Sequence, residues 1–153
     1  MLQRKQTLFL LATIVVICFC LYLPIAHYTP PTGISKGAIL FNLATYNHLE
    51  SGIDFSNCPL FIVQSLSTII AIITIFLYKN RQLQVKFCNG GIILQLIWYA
   101  LYGFYLYSNH DILGSAHINF AACLPLITII LLYLARHGIV ADEKLVKSMD
   151  RIR

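Results

Sequence analysis

Four stretches of the chain contain no Asp, Glu, Lys, Arg or His: Thr7 to Ala26, Leu60 to Tyr78, Gly90 to Tyr107 and Asn119 to Ala135. Each approaches the ~20 residues with which a helix, rising ~1.5 Å per residue, crosses ~30 Å of hydrocarbon. The pattern predicts an all-α membrane protein. Its transmembrane helices are expected at 7–26, 59–78, 90–107 and 119–136, two hairpins in a four-helix bundle that makes residues 1–153 one domain. Pro24 and Pro59 fall near helix ends, where the missing N–H costs least. Pro125 requires helix 4 either to begin nearer Asn119 or to run past Arg136, because only 11 residues separate Pro125 from Ala135 inclusive.

Between the apolar runs the pattern changes. Residues 27–58 form the largest polar-containing segment, opened by the turn cluster Thr29-Pro30-Pro31-Thr32-Gly33. Strand and interfacial helix both suit Ile39 to Tyr46. The alternation of Phe41, Leu43 and Thr45 with Asn42 and Ala44, followed by Ser51-Gly52, favours a short β-hairpin. A second outer loop, 108–118, is short. Beyond Gly138 a separate amphipathic helix is expected over 141–152. At 100° per residue, Leu145, Val146, Met149 and Ile152 fall within about 120°, and Lys144, Lys147, Ser148 and Arg151 lie opposite. Asp142 and Glu143 at its start and Arg151 and Arg153 at its end match the helix dipole, with Glu143 and Lys147 as an i,i+4 pair.

Composition agrees with this reading, since 58% hydrophobic and 11% charged residues exclude an ordinary soluble domain. The net charge of +5 raises nucleic acid as a partner, but its distribution answers otherwise. The basic residues gather at Arg4 and Lys5, at Lys79, Arg81 and Lys86, and at Arg136 to Arg153; only Lys36 lies elsewhere. Four spans put those three segments on one side, which the positive-inside rule makes the cytoplasm, so both termini are cytoplasmic. The charge orients the chain in the bilayer, and no nucleic-acid partner is expected. The first run is kept as a helix, because Pro24-Ile25-Ala26-His27 is a poor signal-cleavage site and Ile17 before Cys18 does not fit a lipoprotein signal.

Candidate chemistry is sparse. No ionisable acid, base or histidine lies within the four runs, which argues against a proton relay or pump and leaves a transporter disfavoured. Gln64, Ser65, Ser67, Thr68, Gln95, Asn119 and Thr128 are expected to bond between helices. His27, His48, His110 and His117 lie on the outer side without metal-ligand spacing; His110, Asp111 and His117 in one loop are the best metal set, and no metal is assigned. Cys18 and Cys20 point about 200° apart on a helix and Cys88 is cytoplasmic, so Cys58 with Cys123 is the one disulfide the topology permits, structural in kind. The aromatic face of Trp98, Tyr102 and Tyr105 suits packing or the tail of a quinone. No catalytic residue and no cofactor is assigned.

Three motifs carry a family resemblance: Gln3-Arg4 with Gln6-Thr7-Leu8; Ile75-Phe76-Leu77-Tyr78-Lys79-Asn80-Arg81-Gln82-Leu83-Gln84; and Asp142-Glu143-Lys144-Leu145-Val146-Lys147-Ser148 with Asp150-Arg151-Ile152-Arg153. Together they resemble a Bacteroidota family of small four-span inner-membrane proteins known only as a domain of unknown function. Lys5 and His137-Gly138 depart from its pattern. The resemblance implies a multi-pass protein of the bacterial inner membrane with cytoplasmic termini, and it implies no activity. The expected function is therefore that of a non-enzymatic accessory or scaffold subunit. Its cytoplasmic face, Arg4, Lys79, Asn80, Arg81, Asp142, Glu143, Lys147, Asp150 and Arg151, would bind lipid headgroups of the bilayer or an inner-membrane or cytoplasmic protein. The alternative is a redox or lipid- and quinone-handling enzyme with an outer-face site near Cys58 and Cys123.

Overall fold

The computed structural model describes residues 3–29, 37–47, 52–78, 80–113 and 115–150. Four helices dominate: α1 (Gln3–Tyr22), α2 (Cys58–Phe76), α3 (Arg81–Leu113) and α4 (Leu124–Asp150). α1 packs against α2 and α4, and α3 packs against α2 and α4, so the helices follow one another around a common interior. A stripe of buried positions on each faces inward: Gln6, Leu10, Thr13, Ile17 and Cys20 on α1; Leu60, Gln64, Ser67, Ala71 and Thr74 on α2; Gln84, Cys88, Gly91, Gln95, Trp98 and Tyr102 on α3; Thr128, Leu132, Ala135, Ile139 and Asp142 on α4. The steps alternate between four and three residues. That is the spacing of shallow left-handed helix packing.

The polarity of these helices is the reverse of a water-soluble protein. Inward stripes carry Gln, Ser and Thr, while the outward faces carry Leu8, Leu11, Phe19, Ile62, Ile69, Phe76, Ile93, Leu96, Phe104, Leu126, Ile130 and Leu134, with Leu8 66% and Phe76 75% exposed. Three helical segments, Cys58–Phe76, Arg81–Asn109 and Phe120–Val146, are long and apolar enough to cross a membrane, and Gln6–Tyr22 is a shorter apolar helix.

Element boundaries differ from the sequence expectation in ways with clear causes. α1 stops at Tyr22 rather than Ala26, its last backbone bond running from Leu23 N to Phe19 O at 3.0 Å. Leu23 precedes Pro24, and a residue before proline is pushed out of the helical region. Residues 26–29 are strand. The central basic stretch is mostly not a loop, because α3 begins at Arg81: Asn80 N is bonded to Leu77 O at 3.0 Å, and Asn80 O accepts from Gln84 N at 3.0 Å. Asn suits that position, and no breaker follows it in Arg81 to Cys88. Helix 4 is preceded by a tight 3-10 turn, Phe120–Cys123, and α4 then runs unbroken to Asp150, so of the separate tail helix expected over 141–152 the described part, 141–150, is one piece with it. His137-Gly138 does not interrupt the helix. Gly138 is instead a place of close approach, since a Cβ there would lie 3.1 Å from Gln6 Cγ.

The expected hairpin is an antiparallel five-stranded sheet. Its strands are β1 (Ala26–Thr29), β2 (Ile39–Leu40), β3 (Thr45–Asn47), β4 (Gly52–Asp54) and β5 (Ser115–Ile118), in the spatial order β4-β3-β2-β1-β5. Within the segment read as strand, 39–46, residues 39–40 and 45–46 are strand, and 41–44 is the turn between β2 and β3, closed by Phe41 N to Ala44 O at 3.0 Å. β5 comes from the short second outer loop and pairs with β1 through Ala26 with Ile118, His27 with His117, Tyr28 with Ala116 and Thr29 with Ser115. One face of the sheet closes the core: Ala26, Tyr28 and Leu40 are buried with Cys20, Ile25, Trp98 and Tyr102.

Candidate functional site

Three polar constellations hold the helices in register. The first lies at the end of the helices away from the sheet, where α1 and α3 begin and α4 ends. Gln6 Nε2 donates to the Asp142 carboxylate, a buried contact between α1 and α4. Arg81 Nη1 donates to the Asp142 backbone oxygen at 3.2 Å, and Gln82 Nε2 to Glu143 Oε1 at 3.3 Å. Gln84 Nε2 donates to Thr74 O at 3.1 Å and so secures the last turns of α2. Thus Asp142 faces α1 with its carboxylate and α3 with its carbonyl.

The second constellation is in the middle of the helices. Gln95 Nε2 donates to Ser67 Oγ at 2.8 Å between α3 and α2. Gln64, one turn from Ser67, is fully buried, and neither its Nε2 nor its Oε1 has a hydrogen-bond partner; Gln95 Oε1 has none either. Thr68 and Thr128 bond back to carbonyls of their own helices, Thr128 to Leu124 O at 3.1 Å. An amide buried without partners weakens a structure, so this layer holds the helices less well than its polar content suggests.

The third is at the sheet end. Asn42, fully buried at the tip of the β2–β3 turn, donates from Nδ2 to Cys20 O at 2.7 Å and accepts at Oδ1 from Trp98 Nε1 at 2.9 Å. Trp98 stacks on Tyr102, centroids 5.1 Å apart, and meets Tyr99 edge-on at 5.2 Å. Tyr102 donates to Ile25 O at 3.2 Å and Tyr99 to Ala122 O at 2.9 Å. Asn119 Nδ2 adds a bond to Pro24 O at 3.2 Å. Burial pushes the Tyr28 hydroxyl above its ordinary range, an effect partly offset by the Asn109 side chain.

These contacts locate the residues singled out in the sequence. Arg81, Asn80, Asp142 and Glu143 come together, joined by Gln6 and Gln82, which stand in the motifs of the resemblance but not on the expected interaction face. Arg81 meets the main chain of Asp142. Arg4 lies on α1 and Lys147 and Asp150 on α4, while Lys79 and Arg151 lie outside the described residues. Cys58 and Cys123 are free thiols, as are Cys18, Cys20 and Cys88. Cys58 opens α2, which packs against α1 and α3, whereas the turn ending at Cys123 packs against α1 and α4. His110 and Asp111 belong to the last turn of α3 and His117 to β5, so the three do not share a loop. Among the described residues no three of His, Cys, Asp and Glu gather in one place. The Trp98 and Tyr102 face is occupied by Asn42, Ile25 and the sheet, and is packing rather than a groove for a ligand tail.

No curated protein matches the sequence. A family model does, over residues 2–152, nearly the whole chain including Gln6, Asn42, Arg81 and Asp142. The chain belongs to the family described as a domain of unknown function, DUF4293.

Proposed function

We propose that this protein is a four-span membrane subunit with both termini cytoplasmic, and that it serves as a non-enzymatic scaffold whose basic inner end docks a protein partner. The observation that carries this reading is the polar junction at Asp142, which locks the starts of α1 and α3 to α4 one turn beyond the apolar cluster of Leu10 and Ile139. Helices of 33 and 27 residues measure about 50 and 40 Å. Both exceed ~30 Å of hydrocarbon, and the excess carries Arg81, Lys86 and Lys144. The outward apolar faces are those a lipid solvent accepts, and the basic segments share the end that the positive-inside rule assigns to the cytoplasm.

The tail stripe favours a partner over headgroups. Leu145 and Val146 are exposed, 53% and 44%, on a helix continuous with α4. Such a helix leaves the hydrocarbon along the axis of α4 and presents its stripe sideways, instead of lying flat on the leaflet as a detached amphipathic helix would. Site-specific photocrosslinking in native membranes tests the proposal. A probe at Leu145 or Lys86 should give one discrete protein adduct, that from Lys86 abolished by Leu145→Asp with Val146→Asp, while a probe at Phe104 gives none. Adducts to lipid alone from the inner positions, or labelling of the termini from outside the cell, would overturn it.

A further inference from the structure

We propose that His27 and His117 together bind one divalent late first-row transition-metal ion on the exposed face of the sheet. The two residues are 90 positions apart in sequence, and the register of β1 with β5 sets them directly opposite one another. Two residues before His27, Asn119 N donates to Ile25 O at 3.1 Å. Bonded pairs recur every second residue in an antiparallel ladder, so His27 and His117 form a bonded pair with Cα atoms ~5.5 Å apart and side chains on one face. The next pair on that face, Thr29 and Ser115, has its hydroxyl oxygens 2.6 Å apart, so side chains of the two strands meet there. Both histidines are exposed.

A cation held by two imidazoles at ~2.0–2.1 Å needs the ligating nitrogens ~3 Å apart, within reach of side chains rooted on neighbouring strands. Imidazole suits copper, nickel and zinc, and the order of divalent affinities favours Cu2+. Among the described residues of the five strands there is no Lys or Arg to oppose a positive ion. Ile39 flanks His27 on β2, and the one charged residue in the five strands is Asp54, on the far edge strand. With two protein ligands the remaining coordination positions belong to water, so the ion is exchangeable. It staples β5 to β1, joining the two segments that cap the helices.

The inference is independent of the scaffold reading and uses the sheet end alone. Full-length protein in mild detergent, its accessible thiols blocked and stripped with chelator, is titrated with CuCl2 and followed by calorimetry and electron paramagnetic resonance. One Cu2+ per chain with couplings from two imidazole nitrogens is expected. His27→Asn and His117→Asn should each weaken binding about a hundredfold, the loss of one arm of a two-point attachment, and reduce the couplings to one nitrogen. Unfolding midpoints of the metal-free variants should match wild type, because both side chains are exposed. Binding that is unchanged in either variant, no binding by wild type, or a two-imidazole signal that survives in His27→Asn would overturn the proposal.

Discussion

Asn42 is the side chain on which the sheet end depends most, and its removal can be followed directly. In Asn42→Ala the bonds to Cys20 O at 2.7 Å and from Trp98 Nε1 at 2.9 Å vanish, together with the longer one to Cys20 Sγ at 3.8 Å. The carbonyl and the indole N–H stay buried, each without a partner, in surroundings made of Ile25, Leu40 and Tyr102. An orphaned buried group costs ~1–3 kcal/mol, so the expected loss of stability is about 3 kcal/mol. Trp98 is the one tryptophan of the chain, so its fluorescence reports the contact without added label. Emission should move to shorter wavelength as the amide beside the indole is replaced by a methyl, and the unfolding midpoint in detergent should fall. A double-mutant cycle isolates the pair: on a Trp98→Phe background, which has no donor to orphan, Asn42→Ala should cost at least about 1 kcal/mol less, read by circular dichroism. Unchanged emission together with unchanged stability, or full additivity in the cycle, would refute the reasoning.

Two further substitutions test the interior. Gln64→Leu removes a buried amide with no partners and keeps its bulk, so stability should rise by about 1–3 kcal/mol; a fall in the unfolding midpoint would mean that the amide is satisfied in the folded protein. Gly91→Leu places side-chain atoms where a Cβ alone already comes within 3.0 Å of Leu132 Cδ1. It should destabilise by about 1–3 kcal/mol, and Leu132→Ala should restore much of the loss in the same unfolding assay.

The four apolar stretches are visible in the sequence because exclusion of charge over nearly 20 residues is a one-dimensional property, imposed by the solvent of the helices and not by their neighbours. The same holds for the gathering of basic residues at three points along the chain, which predicted that Arg81 and the Asp142 segment share one end. Which groups would meet there was not visible. Arg81 bonds a backbone oxygen and Asp142 takes Gln6, pairings set by how α1, α3 and α4 pack rather than by charge sign. Continuity of α4 through Gly138 is not legible in the sequence because glycine reads as a breaker, whereas here close approach to Gln6 accounts for it. The sheet was the least legible part. Its strands are two to four residues long, too short to show a period, and β5 joins β1 across most of the chain. Asn42 looked like one polar residue in an alternating strand, and only the packing of the turn onto α1 and α3 makes it the junction of the sheet end. His27 and His117 were two solvated loop residues in the sequence, and strand register alone makes them a pair. The amino-acid sequence determined where the helices run and which end carries the charge, because those depend on local composition; the tertiary structure decided which polar groups meet, because that depends on register between segments far apart in the chain.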